Sequence, residues 1–264
     1  MRNKTVCSSL NDFALHTTLA KLQIENILNQ DMNIVVVGPA ASGKSAFVKS
    51  FKEFLIDKGY NVKAVNLDPA TSPIYKAEAD IREFVRTEDV MQKYKLGING
   101  ALIKSVEIAS NYIEELIIKG DFVLFDTPGQ MELFIYSKTG EKIVEHIPEF
   151  KCCIFLVDSE VASNPENYVS ILMQNVIVSL RTSLPTLTVF NKSDLVELKS
   201  FDEIVEELKH KPGVLSELLE KTLFFFEYTS LPYRQISISA LNKTGFEDLL
   251  DAVNELFCSC GDIS

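Results

Sequence analysis

The feature that most constrains this chain is a loop of the form G-x-x-x-x-G-K-S at residues 38–45. An apolar run at residues 33–37 leads into it, and a helix-forming segment at 46–55 leads out of it. In this order, strand, loop and helix form a P-loop, whose backbone N–H groups surround a phosphate at a helix N-terminus. The alternative is a glycine-rich turn that only packs. Because the Lys-Ser pair is present in the right context, the loop predicts a nucleotide-binding α/β fold.

The residue types within this loop predict particular contacts with a nucleotide. Lys44 is expected to reach the β- and γ-phosphates, and the Ser45 hydroxyl is expected to ligate Mg²⁺. The predicted binding residues of the loop and of the helix start are Gly38, Pro39, Ala40, Ala41, Ser42, Gly43, Lys44, Ser45 and Ala46.

Two further predicted strands end in carboxylates. The apolar run 61–67 ends in Asp68-Pro69-Ala70, and the run 121–125 ends in Asp126-Thr127-Pro128-Gly129. Carboxyl ends of parallel strands face the ligand crevice, although an Asx turn would also explain Asp68. Asp126 fits a Walker B residue that holds Mg²⁺ directly or through water. Gly129 would approach the γ-phosphate and move when it leaves. The predicted metal ligands are Ser45, Asp68 and Asp126.

A second pair of loops predicts recognition of guanine. Asn191-Lys192-Ser193-Asp194 follows the predicted strand 186–190 and reads N-K-x-D. The Asp194 carboxylate can accept two hydrogen bonds from guanine, whereas adenine would leave it unpaired. Lys192 would lie along the ring, and Asn191 would tie this loop to the P-loop. Ser239-Ala240-Leu241 would place a backbone N–H against guanine O6.

Composition narrows the choice of partners and compartment. The net charge of −11 argues against broad binding to nucleic acid or anionic lipid. No apolar run approaches the ~20 residues that span a bilayer. Five cysteines without a framework favour a reducing cytoplasm. Cys152 and Cys153 lie in an apolar run and are predicted to be buried, and Cys258 and Cys260 are expected to be ordinary thiols.

The chain is predicted to contain one nucleotide-binding domain with an extension. Residues 1–31 have helix-like apolar spacing and are expected to form an N-terminal helical extension, unless Met32 is the biological start. Residues 32–264 form an α/β domain with a mostly parallel sheet and helices on both faces. A helical insertion is expected at about 195–234, with a strongly apolar segment at 223–226. A long helix is expected to open at residue 97 and continue to Lys119.

Taken together, these motifs resemble the GPN-loop GTPases, a family of the signal-recognition and partitioning-ATPase class of P-loop proteins. The resemblance runs from Asn33 to the C-terminus, and its compact tail is most similar to the archaeal branch. It depends on motifs that occur in family order: the P-loop, residues 66–70, 80–82, 96–101 and 126–132, Asn164-Pro165, and the N-K-S-D and Ser-Ala loops.

Two departures from related patterns are visible. The family's Gly-Pro-Asn triplet is Gly97-Ile98-Asn99 here, and isoleucine lacks the fixed φ of proline. The signature lysine of the partitioning ATPases is absent, since Pro39 and Ala40 stand near the start of the loop. The second departure disfavours the ATPase branch.

The resemblance implies a homodimer in which each loop 97–99 projects into the neighbouring site, with Asn99 directed toward the partner's phosphates. It also implies that Asp68, Gln130 and Glu132 surround the attacking water, and either Asp68 or Glu132 could be the base. Arg82 and Arg86 are candidate charge stabilisers or surface salt-bridge residues.

The predicted function is binding of GTP and its slow hydrolysis to GDP and phosphate, which switches a dimer between conformations. The alternative is a nucleotide-gated assembly factor or scaffold, and the resemblance suggests RNA polymerase subunits as clients. A P-loop kinase is disfavoured by the N-K-S-D and D-T-P-G motifs.

Overall fold

The computed structural model describes residues 31–209, 221–222 and 235–258. The strands are β1 Met32–Val37, β2 Val62–Asn66, β3 Ala79–Asp80, β4 Phe122–Asp126, β5 Lys151–Asp158, β6 Thr186–Asn191 and β7 Ile236–Ser237. The helices are α1 Lys44–Asp57, α2 Thr87–Tyr94, α3 Ile98–Ala109, α4 Glu132–Ile135, α5 Lys138–His146, α6 Ser159–Ala162, α7 Pro165–Thr182, α8 Phe201–Lys209 and α9 Phe246–Cys258.

The described strands form one parallel sheet in the order β3-β2-β4-β1-β5-β6-β7. β1 lies at its centre, and all six of its residues are buried. Every strand points its carboxyl end to the same edge of the sheet, so the polar residues after β1, β2, β4 and β6 meet there. This arrangement confirms the predicted P-loop fold.

Helices cover both faces of the sheet, as predicted. Successive strand residues point to opposite faces, which explains why the central strands are apolar throughout. On β1, Ile34 and Val36 belong to the core that contains α1 and α9. Val35 and Val37 belong to the opposite core, which contains residues of α3, α4, α5, α7 and α8. Two packed faces hold the edge that carries the site in a fixed position.

Helix ends follow ordinary capping rules near this edge. Asn164 accepts hydrogen bonds from the backbone N–H groups of Glu166 and Asn167, at 3.0 and 3.1 Å. Pro165 follows at the first helical position, where its missing N–H costs nothing. The Asn164-Pro165 motif therefore starts α7.

Two elements differ from the sequence prediction. The long helix after Gly97 ends at Ala109 rather than Lys119, because the chain tightens into 3₁₀ turns at Ser110–Tyr112 and Glu114–Leu116. β3 was not predicted, because two residues carry no periodic signal.

Several sequence predictions fall wholly or partly outside the described residues. They include the extension at 1–31, apart from residue 31, the apolar segment 223–226, Cys260 and most of the insertion, of which α8 is described. Cys152 and Cys153 are buried free thiols, which confirms their core assignment. No helix in the described ranges is long and apolar enough to cross a membrane.

Candidate functional site

The loop between β1 and α1 approaches its neighbours too closely for larger residues at two glycines. A Cβ on Gly38 would lie 2.1 Å from the carbonyl oxygen of Leu156. Gly43 has a φ of 91°, and a Cβ there would lie 2.5 Å from Nδ2 of Asn191. Only glycine satisfies both requirements, so the motif's glycines let the loop curl against β5 and β6.

Lys44 lies buried at the mouth of this loop. Its Nζ donates to the carbonyl oxygens of Gly38, Pro39 and Gly129, at 2.8, 3.0 and 3.1 Å. Burial lowers the pKa of Lys44, and the carboxylates of Asp126, Asp68 and Glu132 oppose that shift. An entering phosphate would offer this ammonium a charged acceptor in place of neutral carbonyls, which gives a stronger hydrogen bond.

Asp126 stands at the end of β4, where it is 3% exposed. Burial raises its pKa to about 6, although the nearby Ser45 hydroxyl, the hydrogen bond from Tyr75 and the charge of Lys44 lower it. Its Oδ2 accepts from the Tyr75 hydroxyl at 2.9 Å, whereas its Oδ1 is buried without a hydrogen-bond partner in the described structure.

The unpartnered Oδ1 of Asp126 and the neighbouring Ser45 hydroxyl fit a magnesium site. Mg²⁺ prefers oxygen ligands and is usually held by one or two carboxylates together with waters and substrate phosphates. No group of three or more His, Cys, Asp or Glu side chains able to hold a metal occurs in the described ranges. In a P-loop the remaining ligands of the ion are expected to be phosphate oxygens and water.

Asp68 is also buried, and backbone amides hold both of its carboxylate oxygens. Oδ1 accepts from Ala70 N at 2.8 Å, and Oδ2 accepts from Gly129 N at 3.3 Å. Lys44 bonds the carbonyl of the same Gly129. Both backbone groups of Gly129 are therefore hydrogen-bonded to residues of the phosphate end. Because a γ-phosphate would compete for these bonds, Gly129 suits a position that moves when that phosphate binds or leaves.

A cavity of about 230 Å³ lies over these groups. It brings together part of the predicted phosphate loop and two of the three predicted metal ligands, Ser45 and Asp68, whereas Asp126 is not among its lining residues. Its lining residues include Ala41, Gly43, Lys44, Ser45, Ala46, Asp68 and Gly129.

Asn191 joins the phosphate loop to both base loops. Its Nδ2 donates to the carbonyl of Ser42 at 2.9 Å, and its Oδ1 accepts from the backbone N–H of Ala240 at 3.0 Å. The residue is 2% exposed. Its predicted role as a tie is therefore confirmed, and the tie also includes the second guanine loop.

The base end forms a separate cavity of about 580 Å³ that shares Gly43 and Ala46 with the phosphate cavity. Four residues predicted to bind guanine line it, namely Asp194, Lys192, Ala240 and Leu241. The hydroxyl of Ser239 donates to Oδ1 of Asp194. Ser239 therefore orients the carboxylate from behind, which the sequence did not indicate.

Two residues near the site were missed by sequence reasoning. Asp158, at the end of β5, pairs with Lys192 at 2.5 Å and caps α6 by accepting from Glu160 N at 2.9 Å. Tyr75 bonds Asp126 from the connection between β2 and β3. Both contacts join residues far apart in sequence, and neither belongs to a motif that spacing could reveal.

Other predicted site residues lie apart from both cavities. Gln130, Glu132 and Asn99 are exposed, and none of them lines either cavity of the described chain. Glu132 begins α4 and acts on Lys44 through its charge. Asn99 lies in the first turn of α3. Within one chain, the predicted water-positioning residues are not gathered around a single point.

The candidate charge stabilisers have structural contacts. Arg82 donates to Ser72 Oγ at 2.8 Å and lies 3.8 Å from a carboxylate oxygen of Glu88. Arg86 donates through Nε to the carbonyl of Arg82 at 3.1 Å. The surface salt bridge considered for this pair is therefore present at Arg82.

Ile98 takes the first helical position of α3, after Gly97 with φ −71° and ψ 168°. This extended conformation is the one that a residue before proline adopts, and the first helical position tolerates proline. The backbone at the substituted triplet therefore has the geometry that a Gly-Pro-Asn sequence would require.

Comparison with known proteins adds an independent result. A family model described as "Conserved hypothetical ATP binding protein" matches residues 36–259. A GPN-loop GTPase of Pyrococcus abyssi is 30% identical over 251 residues, which cover 88% of this chain and 100% of that protein. GPN-loop GTPase 2 of Saccharomyces cerevisiae is 33% identical over 235 residues, covering 84% of this chain and 64% of the yeast protein.

The fold agrees with these matches. The crystal structure of the Pyrococcus abyssi relative, a GTPase in apo form, matches with a TM-score of 0.76 and 30% identity. The match covers 87% of this chain and 98% of that chain. The chain spans nearly all of this relative but less than two thirds of the yeast protein's length.

Proposed function

Because the chain belongs to the GPN-loop GTPase family, we propose that it binds GTP with Mg²⁺ and hydrolyses it to GDP and phosphate. We further propose that this reaction switches a homodimer between two conformations. The family model's description names ATP, whereas the relatives' names specify GTP. The base end of the site favours guanine.

The hydrogen bonds that Asn191 makes to Ser42 and Ala240 are the observation that supports guanine over adenine. It places Asp194 beside the phosphate loop, in the cavity that adjoins the phosphate cavity through Gly43. A carboxylate in this position can accept hydrogen bonds from N1–H and the 2-amino group of guanine. Adenine has neither donor there, so it would leave a charged acceptor unpaired, which binding sites discriminate against strongly.

Phosphoryl transfer requires mainly positioning and neutralisation of charge. Lys44 would exchange its carbonyl partners for phosphate oxygens, and Ser45 and Asp126 would hold Mg²⁺. The bound ion would supply positive charge against the β- and γ-phosphates.

Glu132 is the better candidate for polarising the attacking water. Both oxygens of Asp68 accept backbone N–H groups, whereas Glu132 is exposed at the start of α4. Gln130, two residues before Glu132 and also exposed, would orient the same water. In this assignment Asp68 holds the mobile glycine and Glu132 acts on the water.

The surface beside this end of the site supports a homodimer. Ile98, Ile103 and Tyr136 are 54%, 61% and 55% exposed, which leaves apolar area on α3 and next to α4. Asn99 is exposed in the same region. Exposed apolar patches next to a site are typical of interaction surfaces. A second copy placed here would let Asn99 reach the neighbouring phosphates.

An assembly factor in which nucleotide binding, rather than turnover, controls a client remains the second proposal. The exposed apolar surface would suit a protein client, and RNA polymerase subunits are the clients suggested by the family resemblance. The acidic chain favours neither nucleic acid nor an anionic membrane as a direct partner. Buried free thiols at Cys152 and Cys153 are compatible with the proposed cytoplasmic location.

A subunit-mixing assay of GTP turnover tests both the reaction and the dimer. Asn99→Ala and Glu132→Ala should each be nearly inactive alone. If Asn99 acts on the neighbouring site, half of the randomly mixed dimers contain one complete site, and activity returns to about a quarter of wild type. Lys93→Ala, an exposed charge removal on α2, serves as a variant that should remain active.

The outcomes separate the proposals. No recovery, with subunit exchange confirmed by mass spectrometry, would place Asn99 in its own subunit's site. A client that binds in a GTP-dependent manner to Glu132→Ala would favour the assembly factor. Rapid GDP formation that requires an added acceptor would support a kinase instead.

A further inference from the structure

Tyr75 contacts the carboxylate assigned to Mg²⁺ from a segment outside the recognised motifs. Its hydroxyl lies 2.9 Å from Oδ2 of Asp126, a residue 51 positions further along the chain. Tyr75 belongs to the connection between β2 and β3, which begins near Asp68. The contact therefore joins this connection to the end of β4.

The chemistry of the pair makes the phenol a donor. Burial and the nearby carboxylates, chiefly Asp126, raise the pKa of Tyr75, so it keeps its proton at neutral pH. A hydrogen bond from a neutral phenol to a carboxylate is charge-assisted and stronger than one between neutral groups.

The connection that carries Tyr75 is anchored to the P-loop helix. Lys52 of α1 donates to the carbonyl of Lys76 at 2.8 Å and forms an ion pair with Glu78 at 2.6 Å. Glu78 also accepts from Ala64 N of β2 at 2.7 Å. Because Lys76 is adjacent to Tyr75, these bonds hold the ring in place before any ligand arrives.

The two carboxylate oxygens of Asp126 consequently differ in their hydrogen bonding. Oδ2 is engaged by Tyr75, and Oδ1 is buried and lacks a hydrogen-bond partner in the ranges described. We propose that Tyr75 is a positioning residue of the metal site, whose hydroxyl turns the Asp126 carboxylate so that Oδ1 meets Mg²⁺ or a water bound to it. This inference rests on the proposed nucleotide-binding function. Partners that orient metal ligands typically change metal affinity by about 10–100-fold when removed.

Tyr75→Phe removes the hydroxyl and keeps the ring, so it tests the hydrogen bond alone. GDP binding is measured by calorimetry across a MgCl₂ titration and again in EDTA. The Mg²⁺ concentration that gives half of the Mg²⁺-dependent change in GDP affinity should rise about tenfold or more. GDP affinity in EDTA should stay unchanged. Tyr60→Phe is the matched control, because Tyr60 lies just before the other end of β2 and packs its ring on Phe122.

A general packing defect would weaken GDP binding equally with and without Mg²⁺, and that result would overturn the proposal. So would a Tyr75→Phe variant with the Mg²⁺ dependence of wild type. Asp126→Asn provides a second check, because adding Tyr75→Phe to it should change nothing further if the hydroxyl acts through Asp126. Additive effects of the two substitutions would contradict the assignment. A wild-type protein that bound GDP equally with and without Mg²⁺ would overturn the metal site, and a wild-type protein that bound no GDP would refute the nucleotide site itself.

Discussion

The base end and the phosphate end of the cleft differ in how completely their polar groups are paired. At the base end, the side-chain Nδ2 and Oδ1 of Asn191 both have buried backbone partners, and Asp194 accepts a hydrogen bond from Ser239. At the phosphate end, Asp126 Oδ1 and Ser42 Oγ are buried without hydrogen-bond partners within the described chain. Lys44 is hydrogen-bonded there to neutral carbonyls.

This difference suggests that the two ends contribute separately to affinity and to selectivity. If this end holds guanine as proposed, its paired groups let it discriminate between bases with little rearrangement. Each buried unpaired polar group costs about 1–3 kcal/mol, and a ligand that pairs it recovers that free energy. The phosphate end is therefore expected to supply affinity and to respond to the ligand, whereas the base end supplies selectivity.

Lys44→Ala should have the largest effect, because it removes the buried cation of the phosphate end. We expect GTP affinity to fall by about 3 kcal/mol or more, since two charge-assisted hydrogen bonds to phosphate are lost. Calorimetry measures the loss, Lys93→Ala is the control, and a thermal melt verifies the fold. Near-normal GTP affinity in this variant would show that Lys44 does not bind the phosphates, which would contradict the P-loop interpretation.

Asp194→Asn should mainly change selectivity, which sharpens the contrast between the ends. The amide oxygen can still accept from Ser239, but guanine loses a charge-assisted pair of hydrogen bonds. GTP should lose about 3 kcal/mol relative to ATP, measured as the ratio of their dissociation constants. Asp251→Asn, an exposed change on α9, should leave the ratio unaltered. An unchanged ratio in Asp194→Asn would disprove guanine recognition by this carboxylate.

Asp158→Asn tests whether Asp158 contributes to nucleotide affinity by pairing with Lys192. Asparagine can keep the hydrogen bond from Glu160 N that starts α6, while the charge paired with Lys192 disappears. Because the Lys192 side chain is 33% exposed, the expected loss of GDP affinity is only about 1 kcal/mol. A loss that persists in Lys192→Ala would show that Asp158 acts by another route.

Acid should weaken the phosphate end through Asp126. Its pKa of about 6 is raised above its ordinary value, so the metal-binding carboxylate is lost as pH falls through that value. Between pH 7.5 and 5.5 the ionised fraction falls to about a quarter, and apparent Mg²⁺ affinity should fall about fourfold. The titration with GDP reports this change, and GDP binding in EDTA at both pH values is the reference. A constant Mg²⁺ affinity would exclude Asp126 as the titrating ligand.

Ile98→Pro should have the smallest effect and should leave both ends of the cleft unchanged. The backbone at Gly97 and the first position of α3 already suits proline. Restricting the unfolded chain should raise the free energy of unfolding by about 0.5 kcal/mol, measured by urea denaturation. Destabilisation by this substitution would mean that Ile98 makes contacts that proline cannot replace.

The sequence predicted the parts of the fold that local patterns encode. The central strands were recognisable because parallel strands buried on both faces are continuous apolar runs that end in polar motifs. The helix after Gly97 was predicted too long, because apolar spacing does not distinguish an α-helix from the 3₁₀ turns that follow Ala109.

The motifs likewise predicted the first layer of the site but not its supports. Lys44, Asp126, Asn191 and Asp194 each stand in a pattern with a known geometry. The partners of Asp126 and Lys192 come from single residues 51 and 34 positions away. Such contacts depend on the order of strands in the sheet, which no local spacing records.

The bridge from Asn191 to Ser42 and Ala240 joins parts of the chain that are synthesised at different times. Large α/β domains fold through partly formed states, and their N-terminal parts leave the ribosome first. A nascent chain that ends before residue 191 contains the phosphate loop but nothing that tells guanine from adenine. If the proposed guanine loops select the base, discrimination requires β7 to pair with β6 and bring Ala240 to Asn191. Truncated products are therefore expected to bind nucleotides by their phosphates alone and to compete for the cell's abundant ATP.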